Sequence, residues 1–195
     1  ASVAISGDTI VIGAPDAPVM TEDGVALSAG CVLVFERARD GSNVDSSKRW
    51  HQTSRLTAPN PRAEERFGCS VDIDRFAIAV GTCGPSDVDD RHAAYVFLLQ
   101  SGGGGGSWGG VDTLKTSFPL LGEGFGSLVR IQRPFVAVGP AEVPSFDAIR
   151  RAPSLYFEHP LQNGKRYSEV KLSDRSRTAD PRGGGRLSMA FEREL

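Results

Sequence analysis

The sequence predicts an all-β protein assembled from tandem copies of a four-stranded antiparallel unit, and three observations predict it. Apolar residues alternate with period two or run as short β-branched blocks, and no stretch sustains the stripe of an amphipathic helix. A segment recurs at a fixed interval: Phe67-Gly68-Cys69-Ser70-Val71-Asp72-Ile73 returns 58 residues later as Phe125-Gly126-Ser127-Leu128-Val129-Arg130-Ile131. Finally, the composition is turn-rich, with Gly 23 and Pro 12 in 195 residues of which 39% are hydrophobic. That balance suits short strands joined by turns better than a helical bundle or a disordered tail.

The interval of 58 holds at other landmarks, namely Leu56, Leu114 and Leu172, Gly68, Gly126 and Gly184, and Gly81 with Gly139. The first unit is longer: Ser2-Val3-Ala4-Ile5 is the recurring segment without its Phe-Gly, and Gly13 to Gly81 spans 68 residues. The extra residues fall in Gly/Asp/Ser-rich stretches after Gly13 and after Arg37. Four strands per unit follow. In the middle unit they read Cys69 to Ile73, Phe76 to Val80, Ala93 to Leu98 and Val111 to Ser117. The first unit matches with Thr9 to Ile12, Cys31 to Phe35 and Thr53 to Thr57, the third with Phe135 to Val138, Leu155 to Phe157 and Ser168 to Leu172. Tight turns at Ser6-Gly7-Asp8, Asp74-Arg75 and Gln132-Arg133-Pro134 join the first two strands of each unit. Such a unit in tandem is the sequence form of a β-propeller whose blades bury their faces on each other. The expected layout is a partial propeller: blade 1 over 1–66 with its first strand cut short, blade 2 over 67–124, blade 3 over 125–182, and the first strand of a further blade over 183–195. Val3, Ile5, Val71, Ile73, Val129 and Ile131 are expected to point inward. The chain reads as a fragment, with the remaining blades expected in the full-length protein.

Phe67-Gly68 and Phe125-Gly126, each followed about a dozen residues later by the counterparts of Gly13-Ala14-Pro15 at Gly81-Thr82-Cys83 and Gly139-Pro140-Ala141, resemble FG-GAP repeats. These are the blade motif of the propeller at the head of integrin alpha chains and of many microbial surface proteins. The run from Trp50 to Ala58, echoed from Trp108 to Lys115, also resembles the microbial form. Phe67, Gly68, Gly81, Phe125, Gly126 and Gly139 are then structural motif residues, and the resemblance implies an extracellular or cell-surface location. Only the first unit keeps Gly-Ala-Pro, and Gly183-Gly184 stands where a fourth Phe-Gly would be.

Chemistry is sparse. Blades of this family can hold calcium between their first two strands, but these connections are two to four residues long and carry a single Asp8 or Asp74, too few ligands to wrap a cation. His51, His92 and His159 stand far apart and no Gly-x-Ser-x-Gly elbow occurs. The Gly104-x-Gly106-x-x-Gly109 spacing lies in a glycine tract without a helix behind it and reads as a linker. Trp50 and Trp108 read as packing anchors ahead of Leu56 and Leu114 rather than sugar platforms. Cys31, Cys69 and Cys83 have neither zinc nor Cys-x-x-Cys spacing. Pairing about Asp74-Arg75 sets Val80 opposite Cys69, which disfavours a Cys69–Cys83 disulfide and favours apolar packing. No catalytic residue, metal site or cofactor is expected. A net charge of -2 gives no nucleic-acid footprint, and no apolar run reaches the ~20 residues of a membrane-spanning helix.

Long loops on a rigid scaffold carry function. The loops after the second strands, on the rim opposite the tight turns, carry Asp16, Glu22, Asp23, Asp87, Asp89, Asp90, Arg150 and Arg151, and these are the candidate partner-binding residues. The leading expectation is a non-catalytic module of a secreted or surface protein that binds a protein or glycan through that rim. The alternatives are a propeller region of a larger enzyme, of lyase or phospholipase type, with its catalytic domain elsewhere, and a structural or eroded repeat segment.

Overall fold

The computed structural model describes residues 1–37, 50–85, 93–100, 107–115, 124–140, 154–162 and 165–170. These residues form strands and turns, and no helix. The first sheet is the antiparallel meander β1 (Ser2–Ser6), β2 (Thr9–Ala14), β5 (Cys31–Arg37), β6 (Trp50–Leu56). The second is β7 (Ser70–Asp74), β8 (Ala77–Gly81), β9 (Ala94–Gln100), β10 (Ser107–Leu114), and the third is β11 (Leu128–Gln132), β12 (Phe135–Gly139), β13 (Ser154–Gln162), β14 (Lys165–Val170). A two-stranded ribbon, β3 (Val19–Thr21) with β4 (Gly24–Ala26), interrupts the connection from β2 to β5. The inner strands β1, β7 and β11 lie side by side and the sheets stack face on face, which makes them blades of a partial β-propeller.

The middle blade explains the period-two pattern. Strand β8, Ala-Ile-Ala-Val-Gly, is buried throughout: Ile78 and Val80 face the first blade, and Ala77 and Ala79 face the third. One core joins Val11, Val32 and Val34 to Val71, Ile73, Tyr95 and Phe97. The other joins Ala77, Ala79, Ala94 and Val96 to Val129, Ile131, Val136, Val138 and Tyr156. Each blade thus lays its large leading face on the smaller trailing face of the blade before it. Burying an aliphatic side chain of this size is worth ~1.5–3 kcal/mol.

The repeat motif locks the same seams. Phe67 is fully buried between the first two blades with its ring 5.6 Å from Tyr95 and 6.0 Å from Phe97, and Phe125 meets Tyr156 at 6.4 Å. Gly68 and Gly126 turn at φ 89° and 92°, the first against Gly13 near the end of β2 and the second against Gly81 at the end of β8. A β-carbon on Gly13 would overlap Gly68 O, and one on Gly81 would overlap Gly126 O, so both partners must be glycine. Gly139 closes β12 and is buried.

A ladder of side-chain acceptors adds to this at the inner edge. Ser70 Oγ accepts from Val129 N–H at 3.1 Å, Asp72 Oδ2 from Ile131 N–H at 2.9 Å, and Asp74 Oδ2 from Arg133 N–H at 2.7 Å. These amides point out of the edge of β11, so alternate side chains of β7 take the place of a further strand.

The structure departs from the sequence expectation in several places, the shift of β6 to Trp50–Leu56 from Thr53 to Thr57 and the extension of β13 to Ser154–Gln162 from Leu155 to Phe157 among them. Val3 and Ile5 do not point inward: Ile5 is 63% exposed where Ile73 and Ile131 are 6% exposed, because no other described sheet lies against the leading face of the first blade. The hairpin between β7 and β8 turns at Arg75-Phe76, with Asp74 opposite Ala77 and Arg75 at φ 48°. Phe76 is consequently an exposed turn residue, and Cys69 falls two residues nearer to Cys83 than a turn at Asp74-Arg75 would set it. Strand β10 starts at Ser107 rather than Val111, through a bulge between Gly109 and Asp112 in which Gly110 takes φ 62°. Strand β14 runs Lys165–Val170, earlier than Ser168 to Leu172. The strand expected over 183–195 lies outside the described residues.

Candidate functional site

Antiparallel meanders place the two-residue hairpins on one rim and the β2–β5, β8–β9 and blade-to-blade connections on the other. On this second rim the β3–β4 ribbon projects as a finger. Its register, Val19 opposite Ala26 and Met20 opposite Val25, sorts its side chains onto two faces. Val19 and Ala26 pack on Ala29 beneath. The other face presents Met20, 76% exposed, with Val25, and Leu27 follows at 65%. Glu22 and Asp23 form the exposed tip, where Thr21 Oγ1 donates to Gly24 O at 2.9 Å.

Backbone bonds hold the finger's base to the segment that enters the second blade. Glu64 N–H donates to Leu27 O at 2.8 Å, Arg66 N–H to Ser28 O at 3.0 Å, and Phe67 N–H to Ala29 O at 2.9 Å. Glu65 is buried beneath, its Oε1 accepting from Tyr95 OH at 3.0 Å and its Oε2 from Arg62 N–H at 3.1 Å. The finger is therefore an apolar surface on a fixed mount. Asp16 sits at its root with Oδ1 3.6 Å from Arg66 Nε.

On the opposite rim an open groove of about 760 Å³ runs between the second and third hairpins, past Asp74, Arg75, Phe76, Arg133, Pro134 and Glu158. Arg133 makes two 2.7 Å bonds to Glu158, which raise the guanidinium's already high pKa, and its amide satisfies Asp74. The groove's charges are thus largely spent on one another. At the first hairpin Arg37 donates from two guanidinium nitrogens to the single oxygen Asp8 Oδ1. No group of three or more His, Cys, Asp or Glu side chains among the described residues is arranged to hold a metal ion.

Of the residues singled out from the sequence, the structure brings Glu22 and Asp23 together at the finger tip and sets Asp16 at its base. Asp87, Asp89, Asp90, Arg150 and Arg151 lie outside the described residues. The motif residues are structural: Phe67 and Phe125 fill the seams and Gly68, Gly81 and Gly126 meet across them. Trp108 packs against the first core, and Trp50 lies under the Arg37 guanidinium, whose Cζ is 5.8 Å from the ring centroid. Met20, Val25 and Leu27 were not singled out. The sequence signal for them is a short apolar run on each side of the turn residues, Val19-Met20 before and Val25-Ala26-Leu27 after Glu22-Asp23-Gly24.

A partial propeller with large leading faces, glycine-to-glycine seams and an apolar finger on one rim is a repeat-built scaffold. Residues 50–97 match the family model of the FG-GAP repeat, so the chain contains a segment similar to that repeat. The match runs from β6 of one blade into β9 of the next, so the matched segment crosses the seam between the first two blades. No curated protein matches the chain.

Proposed function

We propose that this chain is a non-catalytic propeller module that binds a macromolecular partner through the loop rim, in a secreted or cell-surface protein. One observation carries the reading: the β3–β4 finger exposes Met20, Val25 and Leu27 together, on a mount fixed by backbone hydrogen bonds. A contiguous apolar surface of flexible and branched side chains on a rigid support is the usual core of a protein–protein contact, and a charged fringe steers its partner. Glu22, Asp23 and Asp16 supply an acidic fringe, which favours a protein with basic groups around an apolar centre over a glycan.

The test is a protein and peptide array alongside a glycan array, probed with the labelled chain and its variants. Saturable binding to protein spots is expected, weakened at least ~10-fold by Met20→Ser with Leu27→Ser and unaffected by Phe76→Ser on the opposite rim. Raising salt should weaken it, since exposed charges are screened beyond ~8 Å at physiological ionic strength. Binding lost with Phe76→Ser and kept by the finger variants would contradict the assignment, as would saturable binding confined to glycans.

A further inference from the structure

Three cysteines are present, and only two of them meet. Cys31 is buried at the start of β5. Cys69 precedes β7 and Cys83 follows β8, and both are half-buried. The ladder ends at Ser70 opposite Gly81, after which Thr82 leaves it to pair with Ala93: Thr82 N–H donates to Ala93 O at 3.2 Å, and the Thr82 hydroxyl donates to the same oxygen at 2.9 Å and accepts Ala93 N–H at 3.0 Å. Cys83 follows Thr82 on the segment that has left the ladder, beside the end where Cys69 precedes Ser70, and each thiol is the main influence on the acidity of the other. Cys69 Sγ also lies 3.7 Å from Gly81 O, and Cys69 N–H is held by Arg66 O at 3.2 Å. Two neighbouring thiols on separate segments, one held through Cys69 N–H and the other following the anchored Thr82, need little movement to join.

We infer that Cys69 and Cys83 form a reversible dithiol–disulfide couple that exchanges with low-molecular-weight disulfides such as oxidised glutathione. Cys83 is the attacking thiol. The groups that act on it are the Cys69 side chain, the Arg66 guanidinium and the Asp16 carboxylate. The hydrogen bond from Cys69 and the Arg66 charge lower the Cys83 thiol to about 7, against burial and Asp16. Cys69, beside that thiolate and partly desolvated, is pushed well above the ordinary thiol range and stays protonated.

The exchange balances in two steps. The Cys83 thiolate attacks one sulfur of glutathione disulfide; a Cys83–glutathione bond forms, the glutathione S–S bond breaks, and a glutathione thiolate leaves. Capping Cys83 removes the negative charge that held Cys69 protonated. The Cys69 thiol then loses its proton to the departed thiolate and attacks Cys83 Sγ, and a second glutathione thiolate leaves, protonated from solvent. The protein loses two hydrogens and the glutathione disulfide is reduced to two glutathiones. The new bond ties the start of β7, just after Phe67-Gly68, to the root of the β8–β9 connection on the finger's rim.

The test treats the whole chain with oxidised glutathione and maps its thiols by alkylation and peptide mass. Free thiols are expected to fall from three to one per chain, with Cys31 left and a Cys69–Cys83 peptide recovered; dithiothreitol should restore all three. Cys69→Ser should halt at the first step with one glutathione on Cys83. Brief iodoacetamide labelling of the untreated chain should favour Cys83, with a rate rising through pH of about 7. Stable glutathione on Cys83 of the unaltered chain, a disulfide that includes Cys31, or Cys83 labelling no faster than Cys31 would overturn the inference. The unaltered chain alone decides it, whatever the variant's folding.

Discussion

The seam between the first and second blades and the seam between the second and third share one plan and differ in chemistry. Both press a β-branched leading face on a smaller trailing face, and both close a glycine against a glycine. At the inner edge the second seam uses Ser70, Asp72 and Asp74, and the corresponding positions of the first are Ser2, Ala4 and Ser6. Ser6 Oγ accepts from Arg75 N–H at 3.2 Å, Ser2 Oγ donates to Gly68 O at 2.9 Å, and Ala4 offers nothing. Ile73 N–H, facing Ala4, instead donates to the neighbouring Asp72 Oδ1 at 3.0 Å. The outer edge repeats the contrast: Asp112 of β10 meets Arg166 of β14, with N–H at 3.4 Å and Nε at 3.9 Å, where the first blade has Ser54. The first seam therefore relies on its aromatic core of Phe67, Tyr95 and Phe97, and the second, lined with alanines, adds carboxylates bonded to backbone amides.

Core deletion should separate buried from exposed copies of one position most strongly. Ile73→Ala should cost ~2–5 kcal/mol in urea unfolding and Ile5→Ala under ~0.5, although the two residues occupy equivalent places in successive blades. Equal costs would mean that the leading face of the first blade is covered too. Next comes the ladder. Asp72→Ala strips acceptors from Ile131 and Ile73 and should cost ~1–3 kcal/mol, more than Ser6→Ala, which removes one longer and neutral bond worth ~0.5–1.5. The smallest effect concerns pH. Burial raises the Asp112 carboxyl pKa in the folded chain, so its contribution is fully present below the unfolded pKa and is lost as pH rises through the folded one. Asp112→Asn should flatten that part of the stability–pH curve, measured by chemical unfolding at a series of pH values. An unchanged curve would place the slope elsewhere.

The blades were legible because the residues that build them are local and repeated. Phe-Gly, the glycine at or near the end of each second strand, and the two-residue alternation each report one contact that recurs at 58 residues. Which copies are buried was not legible, because Ile5 and Ile73 hold the same place in the period-two pattern of their strands and burial depends on what lies against them. Phe76 misled for a related reason: its side chain suits a strand, and the turn position is set by Arg75 adopting a positive φ that no composition rule marks. The ladder stood in the sequence as Ser70-x-Asp72-x-Asp74, an alternation that resembles a solvated face until the next blade's amides are placed over it. At the candidate site the acidic tip was foreseen from its loop, and the apolar side of the finger was passed over because three-residue strands carry little periodic signal.

Amide hydrogen exchange tests most directly the claim that side chains of one inner strand cap the edge amides of the next. The amides of Val129, Ile131 and Arg133 should exchange slowly and those of Val3 and Ile5, at equivalent positions on β1, quickly. In Asp72→Ala, Ile131 should lose its protection under conditions where the buried amides of β8 keep theirs. Ile131 exchanging as fast as Ile5 in the unaltered chain, or keeping its protection without the Asp72 carboxylate, would contradict the account.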